Sequence, residues 1–364
     1  MAIDVYIVNL KDWGLPQKKF FIVAGPCSVE TEEQIMETAL GLRQCEVNVL
    51  RGGIWKPRTR PDSFQGVGEK GLTWLKNAGN AAHLPVTVEV AHPEHVEKCL
   101  QAGIDILWIG ARTTANPFSV QAIADSLKGV SIPVMVKNPT TPDIELRIGA
   151  FERLNQAGIK KLIAVHRGFA VYKKNLFRNL PVWRIPIELR RQISDLPILC
   201  DPSHICGSTD LLQSVSQEAV DLLYDGLMIE VHVNPRQALS DAQQQITPAE
   251  FVRLIGSLNP KRISIDNEEF RQHMSGFRQN LDEIDLRIIE LLAQRMDIAR
   301  EIGAFKRKNN VSSFQPDRWD EVLRSRTQTA IDRNLSPDFI QQIYEYIHEE
   351  SLRNQIETEK DEHD

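Results

Sequence analysis

Eight short apolar runs, separated by longer polar or amphipathic stretches, limit the fold of this chain more than any other feature. The runs are rich in Val, Ile and Leu and lie at residues 20–25, 47–52, 85–90, 105–110, 133–138, 161–166, 197–201 and 226–232. Continuous apolar runs are typical of strands buried on both faces of a parallel sheet, and the stretches between them are long enough for helices. Eight such units in about 240 residues predict an α/β fold, a closed (β/α)8 TIM barrel. A doubly wound open sheet is the alternative.

The chain after residue 258 follows a different pattern. Gly and Pro become rare, and the sequence predicts helices over 277–308, over 317–333 and from the Ser336-Pro337 start signal to about residue 356. We therefore expect a barrel domain at 1–258, a linker at 259–273 and an all-α three-helix domain at 274–364. Two domains also agree with the length of 364 residues, since single cores rarely grow so large.

The composition and the first residues favour a cytoplasmic protein, and they do not argue against anionic metabolites as ligands. A net charge of −6 disfavours a nucleic-acid partner. No apolar run approaches the roughly 20 residues of a membrane span. The first residues lack the basic flank and apolar stretch of a signal peptide. The five cysteines are an odd number without a CxxC pair, so we expect no disulfide framework.

Basic side chains follow several of the predicted strands. In a TIM barrel the functional residues lie at the C-terminal strand ends. Six cations are predicted to meet there: Arg51, Lys56, Arg58, Arg112, Lys137 and Arg167. Like charges repel unless anions bind between them, and the arginine fork suits carboxylate and phosphate. Each cation alone is compatible with a solvated salt bridge, but six at equivalent positions predict phosphorylated, carboxylated substrates.

A second set of strand-end residues has the chemistry of metal ligands. It comprises Cys27, His204, Glu230 and Asp241. One thiolate, one imidazole and two carboxylates suit a borderline divalent transition metal. Their spacing forms no local metal motif, and Cys27 or His204 alone is also compatible with a structural role.

The segments GPCS, RGGIWKPRT, IGAR, VMVKNP, HRGF, DPSHICG and GLMIEVHVNP occur in this order over residues 20–245. This region resembles the short, single-barrel type of DAHP synthase, which condenses phosphoenolpyruvate with erythrose 4-phosphate. The KDO 8-phosphate synthases, which use arabinose 5-phosphate, are the alternative on the same barrel. Their segment resembles KANRS where this chain has KPRT, which favours erythrose 4-phosphate.

The resemblance implies a role for each strand-end residue. It implies a divalent metal, with Mn²⁺ preferred and Fe²⁺, Co²⁺ or Zn²⁺ compatible, on Cys27, His204, Glu230 and Asp241. It implies phosphoenolpyruvate on Arg51, Lys56, Arg112, Lys137 and Arg167. It implies erythrose 4-phosphate on Lys56, Pro57, Arg58 and Thr59. Lys56 is the candidate for the catalytic proton transfers.

Charged residues interrupt the apolar stripe of the first long helix. Arg295 and Lys306 follow Ile284, Ile288 and Leu291 at spacings of three or four residues or sums of these. Eleven residues return to within roughly 20° of the same direction, so both cations can bind one small anion. On the third helix Ser351 and Gln355 continue such a stripe. They line an interior site, or the helix simply emerges into water there.

Residues 275–356 resemble the all-helical chorismate mutase family. Arg278, Leu281, Asp285, Ile288, Leu291, Leu292 and Arg295 match its motif R…LD..D..I..LL..R. The resemblance implies a pocket for chorismate or prephenate on Arg278, Arg295, Lys306, Arg318, Ser351 and Gln355. Arg295, Lys306 and Gln355 are the expected catalytic residues. The family usually has an acid directly after the residue matching Arg318, where this chain has Trp319, and often an aspartate at Gln315. These departures concern recognition of the substrate hydroxyl.

Arg278 lies roughly 100° around the helix from Arg295 and cannot easily serve the same pocket. In the resembling family this arginine enters the partner's pocket, so we expect a homodimer or higher homo-oligomer through the C-terminal helices.

Three hypotheses about function follow. The first is a bifunctional enzyme with feedback on the barrel by prephenate or chorismate. The second makes the helical domain a non-catalytic regulatory and dimerisation module, and the third makes the barrel a different phosphate-binding enzyme.

Overall fold

The computed structural model describes residues 5–16, 18–56, 62–171, 176–261 and 267–357. Contacts divide the chain into two compact units, Met1–Ile263 and Ser264–Asp364. In the described part of the chain, no helix is long and apolar enough to cross a membrane.

The first unit is a barrel of eight parallel strands. The barrel strands are β1 (Phe21–Gly25), β2 (Val49–Arg51), β3 (Val86–Val90), β4 (Ile106–Ile109), β5 (Val134–Lys137), β6 (Leu162–His166), β9 (Ile198–Cys200) and β10 (Gly226–Glu230). Neighbours run in the order β1-β10-β9-β6-β5-β4-β3-β2, and β2 pairs with β1 to close the barrel. Each predicted run contains one barrel strand, so the TIM barrel is confirmed. Strands β7 (Phe169–Ala170) and β8 (Asn179–Leu180) form a short antiparallel pair that was not predicted.

The apolar runs supply two cores because successive strand residues point to opposite faces. Phe21 and Val23 of β1 belong to the core inside the barrel, which Trp13 also contacts from a short 3-10 helix, Leu10–Trp13. Ile22 and Ala24 belong to the core between the strands and the surrounding helices. Each barrel strand is therefore buried on both faces, which is why its sequence is a continuous apolar run.

Helices surround the barrel. They are α1 (Glu32–Leu42), α2 (Lys70–Ala82), α3 (Pro93–Gln101), α4 (Ala111–Thr114), α5 (Pro117–Ser126), α6 (Ile144–Gln156), α7 (Arg184–Gln192), α8 (Pro202–Cys206), α9 (Leu212–Asp221) and α10 (Pro248–Ser257). Several begin at side-chain caps. Thr247 and Glu250, for example, form a reciprocal capping box at the start of α10.

The second unit contains α11 (Glu268–Lys308), α12 (Pro316–Asp332) and α13 (Pro337–Glu357). The predicted all-α three-helix architecture is present. The first helix begins nine residues before the predicted 277, so part of the predicted linker, residues 268–273, is helical. The Asn267 side chain accepts a hydrogen bond from Phe270 N at 3.0 Å, and Glu268 and Glu269 follow in the first turn. This cap and the favourable charge at the helix N-terminus start α11 early.

Candidate active sites

The chain leaves β1 through a turn that brings two strand ends close together. At Gly25, where φ is +147°, a Cβ atom would lie 2.1 Å from the Arg51 carbonyl oxygen. Only glycine fits this close approach. The turn places the buried Cys27 beside the end of β2, from which Arg51 and Lys56 follow. The GPC sequence thus positions the thiol at the mouth of the barrel.

Three of the four predicted metal ligands form one cluster. Single ligand atoms of Cys27, Glu230 and Asp241 all lie within 4.8 Å of one another, and Cys27 Sγ is 3.2 Å from Asp241 Oδ2. The fourth, His204, is not part of this cluster, although its Nε2 lies 3.8 Å from Glu230 Oε1. A soft sulfur with two carboxylate oxygens, and an imidazole beside them, fits a divalent transition metal.

The cluster is buried, and its charges interact strongly. Burial and the neighbouring Glu230 raise the pKa of the Cys27 thiol to about 12, against the opposing effect of Lys56. Burial also raises the pKa of Glu230, but His204 and Arg51 outweigh it and hold this pKa below its usual value. Metal binding must therefore displace the thiol proton, since the thiolate is the ligand form.

Asp201, at the end of β9, connects the cluster to the basic residues. Its Oδ2 accepts a hydrogen bond from Lys137 Nζ at 2.8 Å and lies 2.8 Å from His204 Nδ1. Burial raises the pKa of Asp201, but the opposing effect of His204 and Lys137 is larger. The pKa of Asp201 therefore lies well below its usual value. The ionised carboxylate fixes the His204 ring so that Nε2 faces Glu230.

The basic residues surround a cavity of about 500 Å³ at the C-terminal strand ends. Among the predicted residues, it is lined by Lys56, Arg112, Lys137, Arg167, His204 and Asp241. Arg51 does not line it; this side chain is buried, with one nitrogen 3.0 Å from Glu230 Oε1 and its Cζ over the Trp108 ring. Arg51 Nε and Nη1 have no hydrogen-bond partner in the described structure. Predicted Pro57, Arg58 and Thr59 lie outside the described residues.

Sequence reasoning missed two residues of this site. Arg178 lines the cavity and donates to Asp241 Oδ1 at 3.0 Å and to Gln244 Oε1 at 2.7 Å. It precedes β8 in a segment without an apolar run, so no strand-end signal marked it. Asp201 was visible within DPSHICG, as the last residue of an apolar run, but only His204 was selected from that segment.

The helical unit contains a second pocket, of about 470 Å³. Five of the six predicted mutase residues line it: Arg295, Lys306, Arg318, Ser351 and Gln355. Arg295 Nη1 donates to Ser351 Oγ, and Lys306 Nζ donates to Gln355 Oε1 at 3.3 Å. Ser351 and Gln355 are buried, so the helix does not simply emerge into water at these positions. A Cβ atom at Gly303 would lie 2.8 Å from Gln355 Cα, which shows how closely α11 and α13 pack.

The sixth predicted residue, Arg278, does not line this pocket. It lies in the exposed N-terminal half of α11. The apolar residues Leu281, Ile284 and Leu286 of this half are at least half exposed. Trp319 and Gln315, the two departures from the family pattern, both line the pocket, and the Trp319 ring stacks on His348 with 4.1 Å between centroids.

Comparisons with known proteins agree with this division into two sites. The model of the DAHP synthetase I family matches residues 16–261, and that of chorismate mutase type II matches residues 277–356. Phospho-2-dehydro-3-deoxyheptonate aldolase of Thermotoga maritima is 38% identical over 249 residues, which cover 68% of this chain and 72% of that protein. 2-Dehydro-3-deoxyphosphooctonate aldolase of Polaromonas naphthalenivorans is 27% identical over 273 residues, which cover 68% and 91%.

Solved structures show the same relationship. The crystal structure of the Thermotoga maritima phospho-2-dehydro-3-deoxyheptonate aldolase (DAHP synthase) has a TM-score of 0.61 and 33% sequence identity, over 70% of this chain and 76% of that one. A truncated form of the Thermotoga maritima enzyme has a TM-score of 0.59 and 32% identity, over 69% and 90%. The chain therefore belongs to the DAHP synthetase I family, and it carries a chorismate mutase type II domain after its barrel.

Proposed function

We propose that the barrel condenses phosphoenolpyruvate with erythrose 4-phosphate to give DAHP and inorganic phosphate. The observation that carries this proposal is the cavity in which basic residues from four strand ends meet the Cys27, Glu230 and Asp241 cluster. Phosphoenolpyruvate is a small trianion at most, so it relieves the repulsion between these cations when it binds. The KPRT segment and the higher identity to a heptonate aldolase favour erythrose 4-phosphate over arabinose 5-phosphate.

The residues of the cavity have distinct roles in this reaction. Lys137, Arg112 and Arg167 supply positive charge at the cavity for the carboxylate and phosphate. The buried Arg51, two of whose guanidinium nitrogens have no partner in the described structure, adds positive charge from outside the lining. These side chains hold C3 of phosphoenolpyruvate toward the aldehyde carbon, to which it forms the new bond. Water then adds at C2 and phosphate leaves.

Lys56 is our candidate for the proton transfers. Its Nζ lies 2.9 Å from Cys27 Sγ and 2.9 Å from the Cys27 carbonyl oxygen, and the side chain lines the cavity. It therefore stands between the ligand cluster and the substrate space, where the aldehyde oxygen needs a proton during condensation.

Cys27, His204, Glu230 and Asp241 would hold the metal, for which Mn²⁺ is our first choice and Fe²⁺, Co²⁺ and Zn²⁺ are compatible. When bound, a divalent ion supplies Lewis-acid polarisation of the aldehyde oxygen. The protein's own contribution is to keep the donors together before the ion arrives. Asp201 orients His204, and Arg178 holds Asp241.

We further propose that the helical domain rearranges chorismate to prephenate. Its pocket presents Arg295, Lys306 and Arg318 to the two carboxylates and the ether oxygen, with Gln355 beside Lys306. The rearrangement is unimolecular, so fixed charge and shape are sufficient without a nucleophile or metal. Trp319 stands where the resembling family usually has an acid, and this departure favours the second candidate, a non-catalytic regulatory and dimerisation module.

Three further properties belong to the same proposal. The exposed apolar half of α11 supports a homodimer in which Arg278 enters the partner's pocket. Prephenate or chorismate bound in the helical domain lowers barrel activity, because a ligand that prefers one conformational state shifts the population toward it. The protein acts in the cytoplasm, which its five unpaired cysteines support.

One experiment separates the two activities. Condensation of phosphoenolpyruvate with erythrose 4-phosphate, and disappearance of chorismate, are measured on the full-length chain with and without a chelator. We expect the chelator to abolish condensation, Mn²⁺ to restore it, and chorismate consumption to be unaffected. Condensation that survives complete metal removal would rule out the metal-dependent barrel, and failure to consume chorismate would favour the non-catalytic module.

A further inference from the structure

The wall of the helical pocket contains a stacked aromatic pair. The rings of Trp319, on α12, and His348, on α13, have centroids 4.1 Å apart and planes 13° apart. Both residues line the pocket. His348 precedes Ser351 by three residues, which places the two on the same face of α13. The stack therefore fixes the His348 ring beside the polar residues of the site.

The described lining of this pocket contains three cations and no carboxylate. Chorismate has two carboxylates and an ether oxygen, which match these cations, and one ring hydroxyl, which does not. A hydroxyl that both donates and accepts is best matched by a neutral polar group. Ser351 Oγ already accepts from Arg295, and Gln355 Oε1 accepts from Lys306. These two side chains are therefore already engaged with the cations, which leaves Ser313, Gln315 and His348 as the other neutral polar residues of the described lining.

His348 retains unused hydrogen-bonding capacity. Its Nε2 is buried and has no partner in the described part of the chain, which is unfavourable unless a bound group pairs with it. Burial, with the nearby Arg295 and Lys306, lowers the pKa of His348 below its usual value. The neutral ring offers one N–H donor and one lone pair, the combination that a hydroxyl requires.

We propose that His348, held in place by the stack with Trp319, is a specificity-determining residue that hydrogen-bonds the ring hydroxyl of the substrate in the helical pocket. It thereby replaces the acid that is missing beside Arg318. Trp319 acts as a positioning residue, because its ring orients His348 by stacking. This inference rests on the proposed mutase function.

The test compares two substrates on two enzymes. Full-length wild type and His348→Phe are assayed with chorismate and with the analogue in which hydrogen replaces the ring hydroxyl, each rate being divided by that of the uncatalysed rearrangement. Phenylalanine keeps an aromatic ring against Trp319 but removes both nitrogens. We expect His348→Phe to lower kcat/KM for chorismate about fivefold to tenfold, the effect of one neutral hydrogen bond, and to change the analogue less than twofold.

Two more variants separate positioning from general damage. Trp319→Leu removes the stack and should lower kcat/KM for chorismate more than for the analogue. Glu349→Gln changes the exposed neighbour of His348 and should leave both substrates unaffected. Far-UV circular dichroism and thermal melting of every variant check that the helical domain is folded.

Each remaining outcome is informative. An equal loss of kcat/KM for both substrates in His348→Phe would assign the residue a structural role and overturn the inference, as would no loss for either. If wild type consumes chorismate and His348→Phe gives either of these results, only the inference about His348 is wrong. If wild type does not consume chorismate, the proposed mutase function fails together with it.

Discussion

A single buried carboxylate, Asp201, holds two side chains of the barrel site at once. Its partners are Lys137 and His204, each at 2.8 Å. Asp201→Asn leaves the Lys137 ammonium buried without its counter-charge, and breaking one partner of a buried pair costs several kcal/mol. We expect kcat/KM for the condensation to fall by roughly a hundredfold or more in steady-state assays, with a lower Tm.

The matched control for this variant is Asp125→Asn, which removes a carboxylate from an exposed pair with Lys128 at 2.7 Å. Exposed pairs contribute little, so its kinetics and Tm should match wild type. Chorismate consumption should be unchanged in both variants because the helical pocket has its own residues. Wild-type condensation by Asp201→Asn would show that the pairing is dispensable.

The sequence was informative for residues whose position follows from a strand and not for those placed by tertiary contacts. Cys27, Lys137 and Glu230 end or follow apolar runs, and the rule that barrel sites lie at C-terminal strand ends predicts their common location. Arg178 reaches the same site from a segment with no regular pattern. Its contacts with Asp241 and Gln244 join residues more than sixty positions apart, which local periodicity cannot reveal.

At the scale of elements, α11 has apolar residues that no other described element covers. Its 41 residues extend about 60 Å, and Leu281, Ile284 and Leu291 are at least half exposed. A second copy of the chain would cover them. Ile284→Glu places a charge on this surface, so we expect light scattering to change from dimer to monomer and mutase activity to fall with it, because Arg278 no longer reaches a partner's pocket.

The control for this change is Glu283→Gln, at the adjacent exposed position. It should leave both the molecular mass and the mutase rate unchanged. A dimer that persists in Ile284→Glu would mean that the chains associate through another surface, and it would remove the explanation for the position of Arg278.

Elements were predicted well where burial imposes a strong pattern. The eight barrel strands are apolar on both faces, so each produced a continuous run. Strands β7 and β8 have two residues each and leave no such signal. The start of α11 was missed because residues 268–276 have no regular apolar stripe and include Gly276, so the helix there depends on the Asn267 cap.

At the scale of the whole molecule, the two pockets belong to one chain and the proposal couples them. Saturating prephenate should lower the initial rate of condensation at least about fivefold, the lower range of typical coupling energies. Arg295→Ala removes a cation of the helical pocket and should abolish both chorismate consumption and the prephenate effect, while condensation without prephenate remains.

Arg353→Gln, an exposed change on α13, serves as the control and should keep the full prephenate effect. If prephenate at saturation leaves the condensation rate of wild type unchanged, the two sites are uncoupled. If Arg295→Ala remains inhibited, prephenate acts at a site other than the helical pocket.

The division of the chain between residues 263 and 264 has a consequence for how such a protein can arise. The described residues that line the barrel cavity all belong to the first unit, and those that line the helical pocket all belong to the second. A gene fusion near this point therefore joins two sets of pocket residues without changing the described lining of either. Recombination at the same place can exchange the helical unit and leave the described lining of the barrel cavity unchanged.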